Sequence, residues 1–494
     1  MARSNYNKTM SSCKLVIKDE VNVKFENLDL KWRQKLSNKF RYQVPYAYHL
    51  PAVKLGRWDG KIAFFGLGGT TYLNLVDQIL PILEAGGVYV ELEDKRIKHN
   101  FEFKLIDKNY LADITWPDTH PCAGQPIVLR DYQVETINKF LEAPQSLQEI
   151  ATGAGKTIIT AALCKLVEPY GRTLTIVPNK SLVTQTEEDF LACNLDTGVY
   201  FGDRKDVGRY NTIATWQSIN VLEKKDKVEF KEVMGGIQTI IVDEVHMAKA
   251  DVLKRLLTGA FANAGIRWGL TGTVPKADYE FMGIKCSLGD VIHRIPAKEL
   301  QDKGVLAQCH VNVLQTQDHP MFKSYPEELK WLTTDNTRMT WIAQTIQDIS
   351  SSGNTLILVD RISAGEILKK KLKDSVFISG SVKTKERKEH YDEVSTTQSK
   401  IIIATYGVAS VGINIPRIFN LVLIEPGKSF VRVIQSIGRG IRKAEDKDHV
   451  QIWDITSSCK FAKRHLTQRK KFYKEANYPY NIEKIDYENP YTGK

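Results

Sequence analysis

Glu149-Ile150-Ala151-Thr152-Gly153-Ala154-Gly155-Lys156-Thr157 decides the fold, because it stands between an apolar run and the helical pattern Ile158 to Leu166. Glycines let a loop turn successive backbone N–H groups inward around phosphate oxygens. A lysine adds a point charge for the β- and γ-phosphates, and a threonine hydroxyl can ligate Mg²⁺. Those roles fall on Thr152, Gly153, Ala154, Gly155, Lys156 and Thr157. The strict pattern G-x-x-x-x-G-K-[ST] wants glycine at Ile150, where this chain departs from it. A chance Gly-Lys-Thr turn is the bland alternative, and the preceding apolar run and following helix argue against it.

Outward from this loop, short β-branched runs alternate with helical stretches: Thr173 to Val177, Thr212 to Thr215, Thr239 to Val242 and Arg267 to Leu270. Apolar strands spaced by helices are the pattern of a parallel sheet covered on both faces. The rhythm restarts after residues 299–305, with strands at Thr355 to Val359, Val376 to Ser379, Ile401 to Ala404, Leu421 to Ile424 and Val450 to Trp453. Two tandem α/β domains follow.

A bound nucleotide phosphate also needs a held metal and a positioned water, hence carboxylates at the end of a neighbouring strand. Ile240-Ile241-Val242-Asp243-Glu244-Val245-His246 supplies them, 243 − 156 = 87 residues after Lys156. Asp243 would hold Mg²⁺, and Glu244 would orient or activate the attacking water. An acidic pair at a strand end is often only a solvated helix start; the lysine loop upstream shifts the balance. In Gln435-Ser436-Ile437-Gly438-Arg439-Gly440-Ile441-Arg442, Arg439 and Arg442 stand at i and i+3, on one face if the run is helical. Guanidinium forks there would stabilise charge on a transferred phosphoryl group. A solvated basic face is the competing reading.

Sixty-nine Lys+Arg against 58 Asp+Glu give a net charge of +11 over 494 residues, which biases the chain toward a polyanionic partner. No window approaches the ~18 consecutive apolar residues of a membrane span, and the N-terminus lacks a signal-peptide core. A cytoplasmic location without membrane association is expected, in the host cytoplasm if the chain is phage-encoded. Seven scattered cysteines without a C-x-x-C pair read as reduced, packed thiols.

With these residues in place, the chain resembles the superfamily-two helicases and translocases, motors of two RecA-like domains, from about Leu129 to Arg442. Leu129-Arg130-Asp131-Tyr132-Gln133 is similar to the adenine-reading element, which implies base contact by Gln133 beside Arg130. The phosphate loop and Asp243-Glu244-Val245-His246 are similar to motifs I and II of the DExH type, and Leu270-Thr271-Gly272-Thr273 to motif III. Residues 404–416, with Gly412, resemble motif V, although Asn414 stands where many relatives carry Asp. The run Gln435 to Arg442 resembles motif VI. The resemblance implies ATP and Mg²⁺ as cofactors and ATP held between the two motor domains. It also implies a nucleic-acid track through Pro178 and Lys180, Thr215, Gly380 and Thr405. Hydroxyls, backbone N–H groups and one or two lysines at loop tips suit phosphate contacts without sequence preference. Trp216 reads as core more readily than as a stacking platform.

The ends add two features. Gly56-Arg57-Trp58-Asp59-Gly60-Lys61 reads as a tight turn joining strands, with Arg57 and Lys61 at its rim. This turn resembles the accessory domain of phage UvsW helicases, which remodel branched DNA; a folding turn around a packed Trp58 is the other reading. Lys460, Lys463, Arg464, Arg469, Lys470, Lys471 and Lys474 lie in a stretch without an acidic residue, suited to a phosphate backbone or simply to solvent.

The expected architecture is α/β. A small α+β N-terminal accessory domain (1–118) precedes RecA-like domains at 119–305 and 306–456, and a short basic C-terminal extension (457–494) follows. The expected activity is an ATP-dependent DNA helicase or translocase that unwinds or branch-migrates DNA in replication, recombination and repair. The partner is branched, duplex or single-stranded DNA, with RNA possible, and the protein is monomeric or transiently associated. The alternatives are an RNA helicase, a duplex translocase of a restriction or repair complex, and an ATP-switched nucleic-acid clamp.

Overall fold

The computed structural model describes residues 11–117, 122–206, 210–247, 250–380, 397, 399–409, 417–428 and 447–488. The chain divides into two compact units, Met1–Glu149 with Thr157–Arg294, and Ile150–Lys156 with Ile295–Lys494.

In the first unit a four-stranded sheet runs in the order Thr70–Tyr72, Asn22–Glu26, Ser11–Ile17, Val88–Asp94. A two-stranded ribbon, Arg41–Gln43 with Lys61–Ala63, lies apart from that sheet. Alternation along Ser11–Ile17 and Asn22–Glu26 turns Cys13, Leu15, Val23 and Phe25 inward. There they meet Leu36, Phe40, Phe64, Phe65, Ile79 and Leu83. Tyr279, Met282 and Cys286, from the helix Asp278–Leu288 far along the chain, belong to the same core. The four-stranded sheet therefore shares its interior with a helix that belongs to the larger sheet's part of the chain.

The turn Gly56–Lys61 does not join two strands, as expected from sequence. The short helix Pro51–Lys54 precedes it, and the strand Lys61–Ala63 follows. Pro51 at the first helical position, where its missing N–H costs nothing, starts that helix and displaces the expected strand.

The larger sheet has eight strands, in the order Arg204–Lys205, Thr197–Phe201, Asn211–Thr215, Arg172–Val177, Ile237–Asp243, Ile266–Thr271, Gln145–Ile150, Val291–Ile295. The five central pairings from Thr197–Phe201 to Gln145–Ile150 are parallel. Asn211–Thr215 and Ile266–Thr271 are buried along their whole length, as expected of a parallel sheet covered on both faces, and the buried Arg267 is held by three backbone carbonyls.

The second unit holds seven parallel strands, ordered Ser375–Ile378, Ile401–Thr405, Thr355–Val359, Asn420–Ile424, His449–Ser457, Gln308–Thr316, Tyr480–Ile485. The last strand corrects the picture of a basic tail appended after residue 456. Tyr480–Ile485 pairs with Val311–Thr316 and extends the sheet, and the helix Lys460–Glu475 carries the chain back to that edge. Among the described residues no helix is long and apolar enough to cross a membrane.

Candidate functional site

The C-terminal edge of the eight-stranded sheet gathers the chemistry. Gln145–Ile150, Ile266–Thr271 and Ile237–Asp243 lie side by side and parallel, with Asp243 opposite Leu270 and Thr271 opposite Glu149. Glu149, Asp243 and the residues after Thr271 therefore emerge at one edge, the usual place for ligands in open α/β sheets.

The loop that leaves Gln145–Ile150 turns on Gly153 at φ 90° and Gly155 at φ 80°, a backbone that L side chains avoid. The Ala154 N–H donates to the Ala151 carbonyl (3.3 Å), closing the turn before the helix Lys156–Val167. Ala154 is buried and Lys156 is 9% exposed; Thr152, Gly153, Gly155 and Thr157 are partly exposed. Backbone donors at a helix start, an ammonium and a hydroxyl form a donor set that suits phosphate oxygens and Mg²⁺.

Glu244 follows the strand Ile237–Asp243 at φ 49°, an unusual backbone for a non-glycine residue, and is 8% exposed. Its N–H donates to Asp243 Oδ1 (2.8 Å), and its Oε2 accepts from the Gly272 N–H at 3.3 Å. His246 Nδ1 lies 2.6 Å from Thr271 Oγ1 and 3.6 Å from Glu244 Oε2. Thr271 donates its hydroxyl to the Thr273 carbonyl (2.8 Å). With that proton committed, His246 Nδ1 is the donor to Thr271. Motifs II and III are thus joined by one hydrogen-bonded network through Glu244, His246, Thr271, Gly272 and Thr273.

Two members of this edge escaped the sequence reading. Glu149 Oε1 accepts from the Val274 N–H (3.1 Å), and its Oε2 accepts from Arg294 Nε at 2.9 Å. The residue that opens the phosphate loop is thereby fastened to the segment after motif III. The available signal was a lone charge at the end of a strand.

Gln133 is 6% exposed and caps its own helix, Asp131–Glu142: Oε1 accepts from the Arg130 N–H at 2.9 Å, and Arg130 Nη1 donates to the Tyr132 hydroxyl. The track residues of the first unit are brought together. Pro178 and Thr215 end neighbouring parallel strands, and Gln217 Nε2 donates to the Pro178 carbonyl (3.0 Å). Lys180 is exposed at the start of the helix Lys180–Ala192. Thr215 is only 4% exposed, its Oγ1 capping the helix Trp216–Lys225 by accepting from the Ser218 N–H. Trp216 packs partly buried against the sheet core.

In the second unit Gly380 and Thr405 lie at one sheet edge, since Ile378 pairs with Ala404; Gly380 is exposed, and Thr405 accepts from the Val408 N–H. Gly412, Gln435, Arg439 and Arg442 lie outside the described residues. Arg57 and Lys61 are exposed on the accessory turn, where Trp58 Nε1 donates to the Lys61 carbonyl (2.8 Å) and Asp59 pairs with Arg41. Residues 31–61 carry eight Lys or Arg against the single acid Asp59.

The basic helix Lys460–Glu475 needs a correction. Lys460, Lys463, Arg464, Lys471 and Lys474 are exposed, but Arg469 is fully buried, bidentate to Asp454 at 2.8 and 2.9 Å. Spacing alone gave it the same role as its neighbours, whereas its helical phase puts it on the inner face with Leu466 and Tyr473.

Comparison with known proteins agrees with this layout. Residues 126–276 match the family described as Type III restriction enzyme, res subunit, and residues 337–444 match Helicase conserved C-terminal domain. The chain is 26% identical over 460 residues to the ATP-dependent DNA helicase uvsW of Enterobacteria phage T4, covering 89% of each. It is 28% identical over 337 residues to the putative DNA 3'-5' helicase Rad25 of Halobacterium salinarum, covering 65% of this chain and 54% of that protein. In fold it resembles a putative HsdR subunit of a type I restriction enzyme from Vibrio vulnificus, with TM-score 0.55, 17% identity, and 94% and 85% of the two chains covered.

Proposed function

We propose that this chain, a superfamily-two helicase similar to uvsW, is an ATP-hydrolysing DNA motor that remodels branched DNA. The observation that carries the reading is the joined edge of Asp243, Glu244, His246 and the Thr271–Thr273 turn, where a carboxylate is held by backbone and histidine. ATP is the substrate. Gly153, Gly155 and the Lys156 ammonium bind its phosphates, and Gln133 and Arg130 stand at the adenine end. Thr157 and Asp243 are the residues that would hold Mg²⁺, whose chemistry is to neutralise charge between the phosphates. Glu244 orients the water and takes its proton. Arg439, Arg442, Gln435 and Gly412 are assigned to the same reaction by their motifs.

DNA backbone contacts are assigned to Pro178, Lys180, Thr215, Gly380 and Thr405, with Arg57 and Lys61 on the accessory turn. Thr215 takes part through its backbone, its hydroxyl being engaged as a cap. The protein acts as a monomer or in transient association, in the cytoplasm, which is the host's if the chain is phage-encoded.

The test compares ATP turnover stimulated by four-way or forked DNA, linear duplex, single strand and RNA, with Lys156→Ala as the control that abolishes turnover. The strongest stimulation by branched DNA is expected; preference for RNA overturns the reading.

A further inference from the structure

The helix Ala250–Thr258 begins four residues after His246, and the accessory domain holds it at three levels. At its first turn Asp251 accepts hydrogen bonds from the Tyr46 hydroxyl of the accessory domain (Oδ2, 3.3 Å) and from the Tyr279 hydroxyl (Oδ1). Tyr279 in turn packs 6.1 Å from the accessory Phe64 ring. One helical turn on, the Lys254 ammonium lies 4.1 Å from the Phe64 ring centroid and 5.2 Å from that of Tyr72. Lys254 makes no ion pair among the described residues, and burial lowers its affinity for a proton. The accessory aromatic faces, together with the field of Asp251 one turn back, stabilise its charge. At the last turn Asn22 Nδ2 donates to the Thr258 carbonyl (2.8 Å), and beyond it the Glu20 N–H donates to the Ala262 carbonyl at 3.0 Å.

The apolar face of the helix is packed: Leu253, Leu256 and Leu257 join Ile284 and Leu288 in the core of the large sheet. A cavity of about 510 Å³ lies beside its first turns, lined by His246, Asp251, Lys254, Tyr279 and Tyr46 among others. A close-packed interior transmits small displacements to its neighbours, and the cavity leaves room for one at the first turns of the helix. With its C-terminal end tied at Thr258 and its apolar face in the core, the helix has open space only at its first turns, the end nearer His246 and Glu244 in the chain.

We propose that the helix Ala250–Thr258 is the lever through which the accessory domain sets the alignment of Glu244 and His246, with Lys254 as its positioning residue. DNA held by the accessory domain shifts Phe64 and Tyr72, the ammonium follows, and the carboxylate end of the strand is realigned. The inference rests on the DNA-motor reading above and adds the route by which DNA regulates hydrolysis.

The test uses the full chain carrying Lys254→Met, which keeps the stem and removes the charge. It measures ATP kcat and KM with and without forked DNA, DNA affinity by anisotropy, and thermal melting. The expected result is basal kcat and DNA affinity within about twofold of the parent, stimulated kcat down about tenfold, and recovery in Lys254→Arg. Tyr46→Phe, which removes one hydroxyl from a half-exposed side chain, is read the same way and serves if Lys254→Met does not fold. Equal loss of basal and stimulated kcat, or full stimulation in both folded variants, overturns the lever. A parent protein that DNA does not stimulate overturns the motor reading instead.

Discussion

Two glutamates occupy corresponding places in the two large sheets. Glu244 follows the strand Ile237–Asp243 at φ 49°, and Glu425 follows Asn420–Ile424 at φ 44°. Their surroundings differ. Glu244 is held by a backbone N–H and approached by a histidine. Glu425 lies 2.8 Å from Arg338 Nη2 and accepts from Thr456 Oγ1 at 3.3 Å, in a buried cluster with Asp318, Asp454 and Arg469. Glu244 closes a sheet edge beside the Thr271–Thr273 turn, whereas guanidinium partners in the interior fasten Glu425 into a brace. One backbone position thus serves chemistry in one sheet and cohesion in the other.

The largest effect expected from breaking this contrast is at Glu244. Glu244→Gln keeps the Gly272 contact and removes the base, so turnover should fall by about 10²–10⁴-fold while ATP binding persists. Steady-state turnover and a fluorescent-nucleotide titration check both halves, and parent-like turnover would remove Glu244 from the mechanism.

In the brace, Arg469→Met leaves Asp454, which also accepts from the Tyr473 hydroxyl, as a buried carboxylate without its cation. The expected loss is about 3–5 kcal/mol of unfolding free energy, read from denaturant curves. A loss near zero would mean that water reaches Asp454.

Glu425 sharpens the contrast through pH. Burial pushes its carboxyl up to about 7, with Arg338 and Arg469 opposing and Asp318 and Asp454 adding to the rise. A raised folded-state value stabilises the protein below the ordinary glutamate range, and that stabilisation is lost as pH rises through about 7. Glu425→Gln mimics the protonated form, so its melting temperature should gain on the parent's between pH 5 and 8. A constant difference would show a charge kept throughout.

The smallest effect concerns the helix Lys460–Glu475, which turns Arg469 inward to the brace and its lysines outward. Lys463→Gln with Lys471→Gln should flatten the dependence of log affinity on log salt by about 0.9 per contact on duplex DNA, or about 0.7 on single strands. An unchanged slope would leave these lysines to solvent.

The pattern of the candidate edge was legible because its parts are local: a glycine loop before a helix and two acids after an apolar run announce themselves within a few residues. The parallel strands were legible for the same reason. The brace was not, since Glu425 meets Arg338 across 87 positions and Asp318 meets Ser457 across 139, separations that no periodicity records. Arg469 was misread because a run of like charges conceals the phase of the helix bearing it. The accessory domain's hold on Lys254 was invisible too, as a single lysine in an amphipathic helix has no signature of the rings it will meet.

The returning strand Tyr480–Ile485 carries a further consequence. It covers the rim of Gln308–Thr316 with six residues, most of whose side chains face water. A chain ending before Tyr480 would bare the amides and carbonyls of Val311–Thr316 as an open template, ready to recruit another copy's strand. Solubility of the second unit therefore depends on a segment that contributes little to its core.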